Sequence, residues 1–359
     1  MDKVLYISIA DDSNVNGGAL CRKSNYLALK NNTVNFFEYR IALSKKLINK
    51  IILSIFNYKN GLSSFHVKRV INIIKEKGID VVFLDTSLYG KLVKAIRKRT
   101  SAKCITFFHN CEYKIYSQSI KNKPWLKPLL KSVYTNEYYS MKYSNRCVFL
   151  TERDYDDCKG LYSVDCSPFF TPISLETEYC NNSTISFKKP KKLLFIGSYF
   201  YPNIHGLKWF INLVLPYIDY SLTIIGKGFE QNEFLKDLND KSKLEIKGFV
   251  ENIKNAYEEA DIVIQPVFEG SGMKTKTAEC FMYGKPLVSS SEGLVGYIDN
   301  CENVYRCDTV ESFINTLTAL QSKDIPSYCQ NLYDCFNTYY SLEARMRNYK
   351  KLLEEIRNG

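Results

Sequence analysis

The stretch Pro266-Val267-Phe268-Glu269-Gly270-Ser271-Gly272-Met273-Lys274-Thr275-Lys276-Thr277-Ala278-Glu279-Cys280-Phe281-Met282-Tyr283-Gly284-Lys285-Pro286 reads as a crossing from strand to helix and back to strand. A short apolar run ends at Gln265, and another begins at Pro286. Between them, Gly270-Ser271-Gly272 is a loop without side-chain bulk, and a helix follows from about 275 to 283. The first N–H groups of a helix have no intrahelical acceptor and lie at the positive end of its dipole, which suits them to phosphate. Lys274 and Lys276 add cations beside that end. Glu279, about a turn further on, offers a carboxylate to hydroxyls. An anion cradle, two cations and a hydroxyl acceptor suit a nucleoside diphosphate with its ribose. A plain strand–turn–helix crossing with surface lysines is the other reading of the same residues.

Outward from this stretch the same rhythm continues. Short β-branched runs at 193–196, 221–225, 244–247, 262–265 and 286–289 alternate with helical patterns at 206–214, 230–238, 253–260 and 275–283. The first half repeats it, with strands at 4–9, 81–84, 104–108 and 147–150 and helices at 18–30, 65–77, 87–99 and 134–143. Such alternation builds parallel βαβ units. The polar segment around 177–190, with Asn181-Asn182-Ser183-Thr184 and the lysines flanking Pro190, reads as a linker. The expected class is therefore α/β, with two Rossmann-like doubly wound domains at 1–185 and 186–340. An amphipathic helix at 341–359 closes the chain and can cross back to the first domain. Ligands of such sheets bind outside the carboxyl ends of the strands.

Charge is unevenly distributed. The 359 residues carry a net +11, but residues 1–180 hold 28 Lys and Arg against 16 Asp and Glu, and residues 181–359 hold 21 against 22. A basic first half suits an anionic partner such as a membrane surface or a phosphorylated substrate, or else scattered lysines on solvated faces. No reading motif for nucleic acid accompanies it. The twelve cysteines include no C-x-x-C pair, and none of His66, His109 or His205 stands at metal-ligand spacing from one. They read as small buried hydrophobes in a reducing cytoplasm. The N-terminal run before Asp11-Asp12 reads as a first strand rather than a signal peptide. No apolar stretch approaches the roughly 20 residues that span a bilayer.

The quoted stretch resembles the donor-site signature of GT-B-fold glycosyltransferases related to family 4 (glycosyl transferases group 1), in which a helix carrying a carboxylate is followed by Gly-x-Pro and a strand. The resemblance covers residues 190–300 well and the first half loosely. It implies that Glu279 holds the donor ribose. It also exposes a departure: where the commonest form has a second glutamate eight residues before the first, this chain has Ser271. The form Gly-Ser-Gly-x-Lys-x-Lys…Glu resembles a sub-branch that replaces that glutamate, which leaves open how the donor sugar is held.

Other residues align with the same resemblance. Leu193-Leu-Phe-Ile-Gly197-Ser198 with Tyr201-Pro202-Asn203 and Gly206 is similar to the opening of the nucleotide domain, without its usual Arg and Lys. Lys274 or Lys276 is then the expected phosphate cation. Thr223-Ile-Ile-Gly226-Lys227-Gly228 is a strand and a Gly-x-Gly turn that lacks the third glycine of a dinucleotide fingerprint, which weighs against an NAD enzyme. Phe249 and Val250, after Gly248, stand where the resemblance puts the nucleotide base. In the first half, Asn16-Gly17-Gly18 matches the glycine-rich loop of this fold, and His109 directly follows a buried strand, where the resembling enzymes place a histidine near the sugar. Glu112 is a candidate to orient His109 or an acceptor hydroxyl. Thr151-Glu152-Arg153-Asp154 follows the 147–150 strand and is a further candidate to face the cleft.

The implied activity moves a sugar from a nucleotide-diphosphate sugar to a hydroxyl of a glycan or lipid-linked glycan, with retention at the anomeric carbon, in surface polysaccharide biosynthesis. No metal is expected. A non-catalytic nucleotide-sugar or glycan-binding protein and a sugar-nucleotide epimerase of the same fold are the alternatives. Residues 45–59 add a localisation clue. Leu47, Ile48, Ile51, Ile52 and Ile55 make one apolar face ringed by Lys45, Lys46, Asn49, Lys50 and Lys59. That pattern fits an interfacial helix of a protein seated peripherally on the inner face of the cell membrane, and equally a helix packed on its own domain.

Overall fold

The computed structural model describes residues 3–10, 17–43, 46–120, 123–177, 185–236, 243–298 and 301–358. Asp11, Asp12, Asn16, Lys45, residues 181–184 and the last two residues of the 230–238 helix lie outside them. The chain divides into two compact units, Met1–Ser174 with Leu342–Gly359, and Leu175–Ser341.

The first unit runs β1 (Lys3–Ala10), α1 (Gly17–Asn31), β2 (Asn35–Ala42), α2 (Leu47–Ile55), α3 (Ser64–Lys77), β3 (Val81–Leu84), α4 (Gly90–Arg99), β4 (Lys103–Phe108), α5 (Glu112–Ser119), α6 (Lys127–Tyr143), β5 (Arg146–Phe149), α7 (Glu152–Tyr162) and β6 (Pro168–Phe170). Its six strands form one sheet in the order β2-β1-β3-β4-β5-β6, every pair parallel. The central strands are apolar throughout, as Val81-Val-Phe-Leu84 illustrates, because helices cover a parallel sheet on both faces. Helix α3 buries Val67, Val70, Ile71 and Ile74, spaced to make one stripe, against the same core as Leu92, Val93 and Ile96 of α4. Helix α6 starts seven residues earlier than its apolar pattern suggests, with Pro128 in the first turn, where a missing N–H costs nothing.

The second unit runs β7 (Phe187–Lys188), β8 (Lys192–Ile196), α8 (Tyr201–Leu213), β9 (Ser221–Ile225), α9 (Glu233–Lys236), β10 (Leu244–Lys247), α10 (Lys254–Glu259), β11 (Ile262–Gln265), α11 (Thr275–Met282), β12 (Leu287–Ser289), β13 (Val304–Arg306), α12 (Val310–Gln321), β14 (Ile325–Pro326) and α13 (Gln330–Cys335). Its main sheet is again parallel, in the order β10-β9-β8-β11-β12-β13. This is the doubly wound dinucleotide-fold order, in which the chain reverses direction between β8 and β11. The short β7 and β14 pair antiparallel beside it.

The last helix, α14 (Leu342–Asn358), belongs to the first unit and packs on α1. Its inner face carries Leu342, Ala344, Tyr349, Leu352, Leu353 and Ile356, together with a fully buried Arg345. The eleven described cysteines are all free thiols.

Candidate functional site

The reversal between β8 and β11 fixes where the second unit can hold a ligand. At that carboxyl edge lie residue 197 onward after β8, residues 226–228 after β9, residues 248–250 after β10, and residues 266–274 leading into α11. These segments approach closely enough to exclude side chains. Gly226 has φ +155°, and a Cβ there would stand 1.8 Å from the Gly197 carbonyl oxygen. A Cβ on Gly206 would stand 1.6 Å from the Pro266 carbonyl oxygen, so α8 lies directly against the exit of β11. Gly228 packs on Tyr199, and its N–H donates to Glu230 Oε2 at 2.9 Å. Gly197, Gly226 and Gly228 are therefore neighbours on one edge.

Asn203, in the first turn of α8, joins this edge to α11. Its amide donates to the Ser198 carbonyl at 2.8 Å, and its Oδ1 accepts from Lys276 Nζ at 2.7 Å. The same ammonium lies 4.5 Å from the centre of the Phe195 ring. Burial, helped by the neighbouring Lys274 charge and opposed by Glu279, pushes the Lys276 pKa down to about 7. The other cation turns a different way. Lys274 Nζ donates to the carbonyls of Ser271 and Gly272 at 3.2 and 2.9 Å and pairs with Glu292 Oε1 at 2.9 Å.

Glu279 is half-buried one turn into α11, and its Oε2 accepts from the Tyr257 hydroxyl at 3.3 Å. Burial raises its pKa, against the Tyr257 hydrogen bond and the Lys276 charge. Tyr257 is stacked on Tyr283, with ring centres 4.4 Å apart. Beneath the loop, the Thr277 hydroxyl lies 2.8 Å from Gln265 Oε1 and 2.9 Å from the Gly293 carbonyl. The Tyr297 hydroxyl accepts from the Ala278 N–H at 3.1 Å and donates to the Lys274 carbonyl at 2.7 Å. The first turn of α11 is thus held by Tyr297 and by its own Thr277 N–H, which donates to the Lys274 carbonyl at 3.1 Å. Exposed aromatic rings surround the same loops: Tyr199, Phe200, Tyr201 and Phe249. Val250 is half-buried beside Phe249.

In the first unit, Gly17 and Gly18 open α1 and are half-buried. His109 leaves β4 and donates Nε2–H to Asp85 Oδ1 at 3.0 Å. Asp85 is fully buried and also accepts from the Tyr6 hydroxyl and from Asn25 Nδ2 at 2.8 Å. Arg345 of α14 reaches the same cluster, donating to Asn25 Oδ1 and to the Pro172 carbonyl, with its guanidinium 3.7 Å from Cys21 Sγ. Burial works against a charge on His109, but the Asp85 carboxylate and its hydrogen bond raise the pKa to about 10. Burial likewise opposes ionisation of Asp85 and Cys21, yet the cations beside them lower both pKa values. The Asp85 carboxylate therefore favours the charged imidazolium of His109.

Several sequence expectations take a different form here. Asp85, not Glu112, orients His109; Glu112 begins α5 and gives its N–H to Glu137 Oε1 at 3.1 Å. Thr151 caps α7, accepting the Asp154 N–H at 3.0 Å, so that segment has a local structural role. Lys59 does not ring an exposed helix face: it is buried, with Nζ 4.4 Å from the centre of the Tyr116 ring. Asp85 and Glu292 had no prominence in the sequence: both follow buried strands but are single carboxylates without a motif.

Residues 190–323 match the family described as Glycosyl transferases group 1. No curated protein matches the chain. Solved structures resemble it over nearly its whole length. A glycosyltransferase from Rickettsia africae shares 15% identity over 99% of both chains, with a TM-score of 0.68. Sucrose-phosphate synthase from Thermosynechococcus elongatus shares 11% over 99% of both, with a TM-score of 0.70. HepE from Anabaena, in complex with UDP, shares 10% over 98% of this chain and 100% of its own, with a TM-score of 0.66. At such identities the likeness is one of fold, and that fold is GT-B.

Proposed function

We propose, on the premise that this chain is a GT-B glycosyltransferase whose residues 190–323 form a group 1 domain, that it moves a sugar from a nucleoside-diphosphate sugar to a hydroxyl of a glycan or lipid-linked glycan. The observation that carries the reading is the Asn203–Lys276 contact at the reversal of the second sheet. It sets a lysine at the start of α11 beside the loop after β8, where a diphosphate can be held. Negative charge grows on that diphosphate as the glycosidic bond loosens, and donors already aimed at it lower the barrier without reorganising. Lys276 and the α11 amides take that part, and Glu279 accepts the ribose hydroxyls. The scheme calls for no metal ion. Retention at the anomeric carbon and a role in surface polysaccharide synthesis belong to the same reading.

A peripheral seat on an anionic membrane is part of the proposal. Among the described residues no helix is long and apolar enough to cross a bilayer. Helix α2, however, turns Leu47, Ile48, Ile52 and Ile55 outward, each between 46% and 61% exposed, and buries only Ser54. A helix packed for its own domain would bury that face. Lys46 and Lys50 are exposed on the same helix and its N-cap. This arrangement favours an interfacial role.

The test is a thermal-shift and product screen across UDP-, GDP-, dTDP- and CMP-sugars. UDP-sugars come first, since HepE was solved with UDP and with UDP-glucose. One nucleotide class is expected to raise the melting temperature and to be consumed. Silence from every donor would sink the nucleotide-sugar reading.

A further inference from the structure

We infer that Glu292 supplies the carboxylate that the donor loop lacks at Ser271, and that it binds hydroxyls of the donor's sugar ring. The inference rests on the nucleotide-sugar reading above and extends it to the sugar. A carboxylate accepts two hydroxyl donors at once, and a site built for such donors discriminates strongly among stereoisomers. The loop itself offers little for this purpose. Gly270 and Gly272 bring main chain only, and Ser271 is exposed and brings one hydroxyl. Glu269 is 56% exposed, facing His205 at 4.0 Å.

Glu292 arrives from the turn after β12, eighteen residues beyond Lys274. Its side chain is only 16% exposed, and its Oε1 meets Lys274 Nζ at 2.9 Å, the same nitrogen that binds the Ser271 and Gly272 carbonyls. The carboxylate is therefore tied, through Lys274, to the main chain of the loop at Ser271 and Gly272. Gly270, whose φ of +139° favours glycine, lies against the pair: a Cβ there would stand at contact distance, 3.4 Å from Lys274 Nζ and 3.8 Å from Glu292 Oε1. The turn carrying Glu292 is firmly held. Ser291 donates its N–H and hydroxyl to Asp308 at 2.7 and 2.5 Å. The next residue, Gly293, sits so close that a Cβ would come within 2.2 Å of Ser289 Oγ. A substrate-binding carboxylate needs this kind of rigid support. Lys274 then has a double task, holding the loop carbonyls and orienting Glu292, while Lys276 faces the diphosphate.

The experiment compares wild type, Glu292→Gln, and Glu292→Gln combined with Ser271→Glu, all as the full chain. Two quantities are read: affinity for the free nucleoside diphosphate (UDP, GDP or dTDP, whichever binds) and kcat/KM for consumption of its hexose conjugate. Glu292→Gln should keep nucleoside-diphosphate affinity within about twofold and lower kcat/KM about tenfold or more, and Ser271→Glu should recover part of that loss. A loop clamp without sugar contact predicts instead that both quantities fall together, and that outcome overturns the inference, as does unchanged kcat/KM. Failure of the wild type to bind any nucleoside diphosphate removes the nucleotide-sugar reading and the inference with it.

Discussion

Asn203 holds Lys276 at 2.7 Å through one side-chain atom and the Ser198 carbonyl at 2.8 Å through another, so one amide couples the loop after β8 to the helix after β11. With only 9% of its surface exposed, Asn203 has little access to water that could replace either bond. Asn203→Ala should cost about 1–2 kcal/mol in denaturant unfolding, the usual loss when buried partners go unsatisfied. Nucleoside-diphosphate affinity should fall as well, because Lys276 loses its aim. Unchanged affinity would separate this contact from the donor site.

Lys276 makes a second expectation specific. Without ligand its pKa is pushed down to about 7, chiefly by burial. A bound diphosphate favours the ammonium form and raises that pKa, so binding above pH 7 must take up protons. Near pH 8 a terminal phosphate, whose second pKa is about 6, is already ionised and adds little to the exchange. Calorimetric binding enthalpies at pH 8 should therefore vary with the ionisation enthalpy of the buffer in the direction of uptake. That variation should vanish in Lys276→Met.

The sequence made the second unit legible because its central strands are buried on both faces and read as apolar runs, as Ile262-Val-Ile264 does. β2 escaped notice for the opposite reason. It is an edge strand of mixed exposure, Asn35–Ala42, with Glu38 and Arg40 among its apolar residues. The loop at residues 270–272 and Glu279 announced themselves through local spacing. Asp85, Glu292 and Arg345 could not, since each meets its partner across 18 to 320 residues. One signal was present: β3 pairs with β4, so a residue just past β3 neighbours the exit of β4, where His109 lies. Arg345 gave no comparable sign, because only the return of α14 to the first unit brings it there.

The Asp85–His109 pair sets a pH dependence whose sign follows from the shifts. His109 has its pKa raised from 6.5 to about 10 in the folded chain, so its contribution is fully present below pH 6.5 and is lost as pH rises toward 10. Asp85 has its pKa lowered, so its contribution is present above pH 3.8 and fades as pH falls through the folded value. The melting temperature of wild type should thus decline between pH 7 and 10 more steeply than that of His109→Gln. Parallel curves for the two proteins across that range would remove the buried ion pair as a source of stability.

Helix α2 carries the last expectation. Ile48 and Ile52 are 59% and 46% exposed, so replacing both with Asp should leave the fold intact, which circular dichroism and the melting temperature can check. Burying each aliphatic side chain in a bilayer interface is worth about 1.5–3 kcal/mol at most, and a carboxylate facing anionic lipid adds repulsion. Sedimentation with vesicles rich in phosphatidylglycerol should therefore drop at least about tenfold for the double variant, while consumption of soluble donor is unchanged. Raising the salt should weaken wild-type binding in part, because Lys46 and Lys50 contribute through screened charge and the isoleucines do not. If wild type ignores the vesicles at low salt, the exposed face of α2 serves some other contact, and the membrane seat is withdrawn.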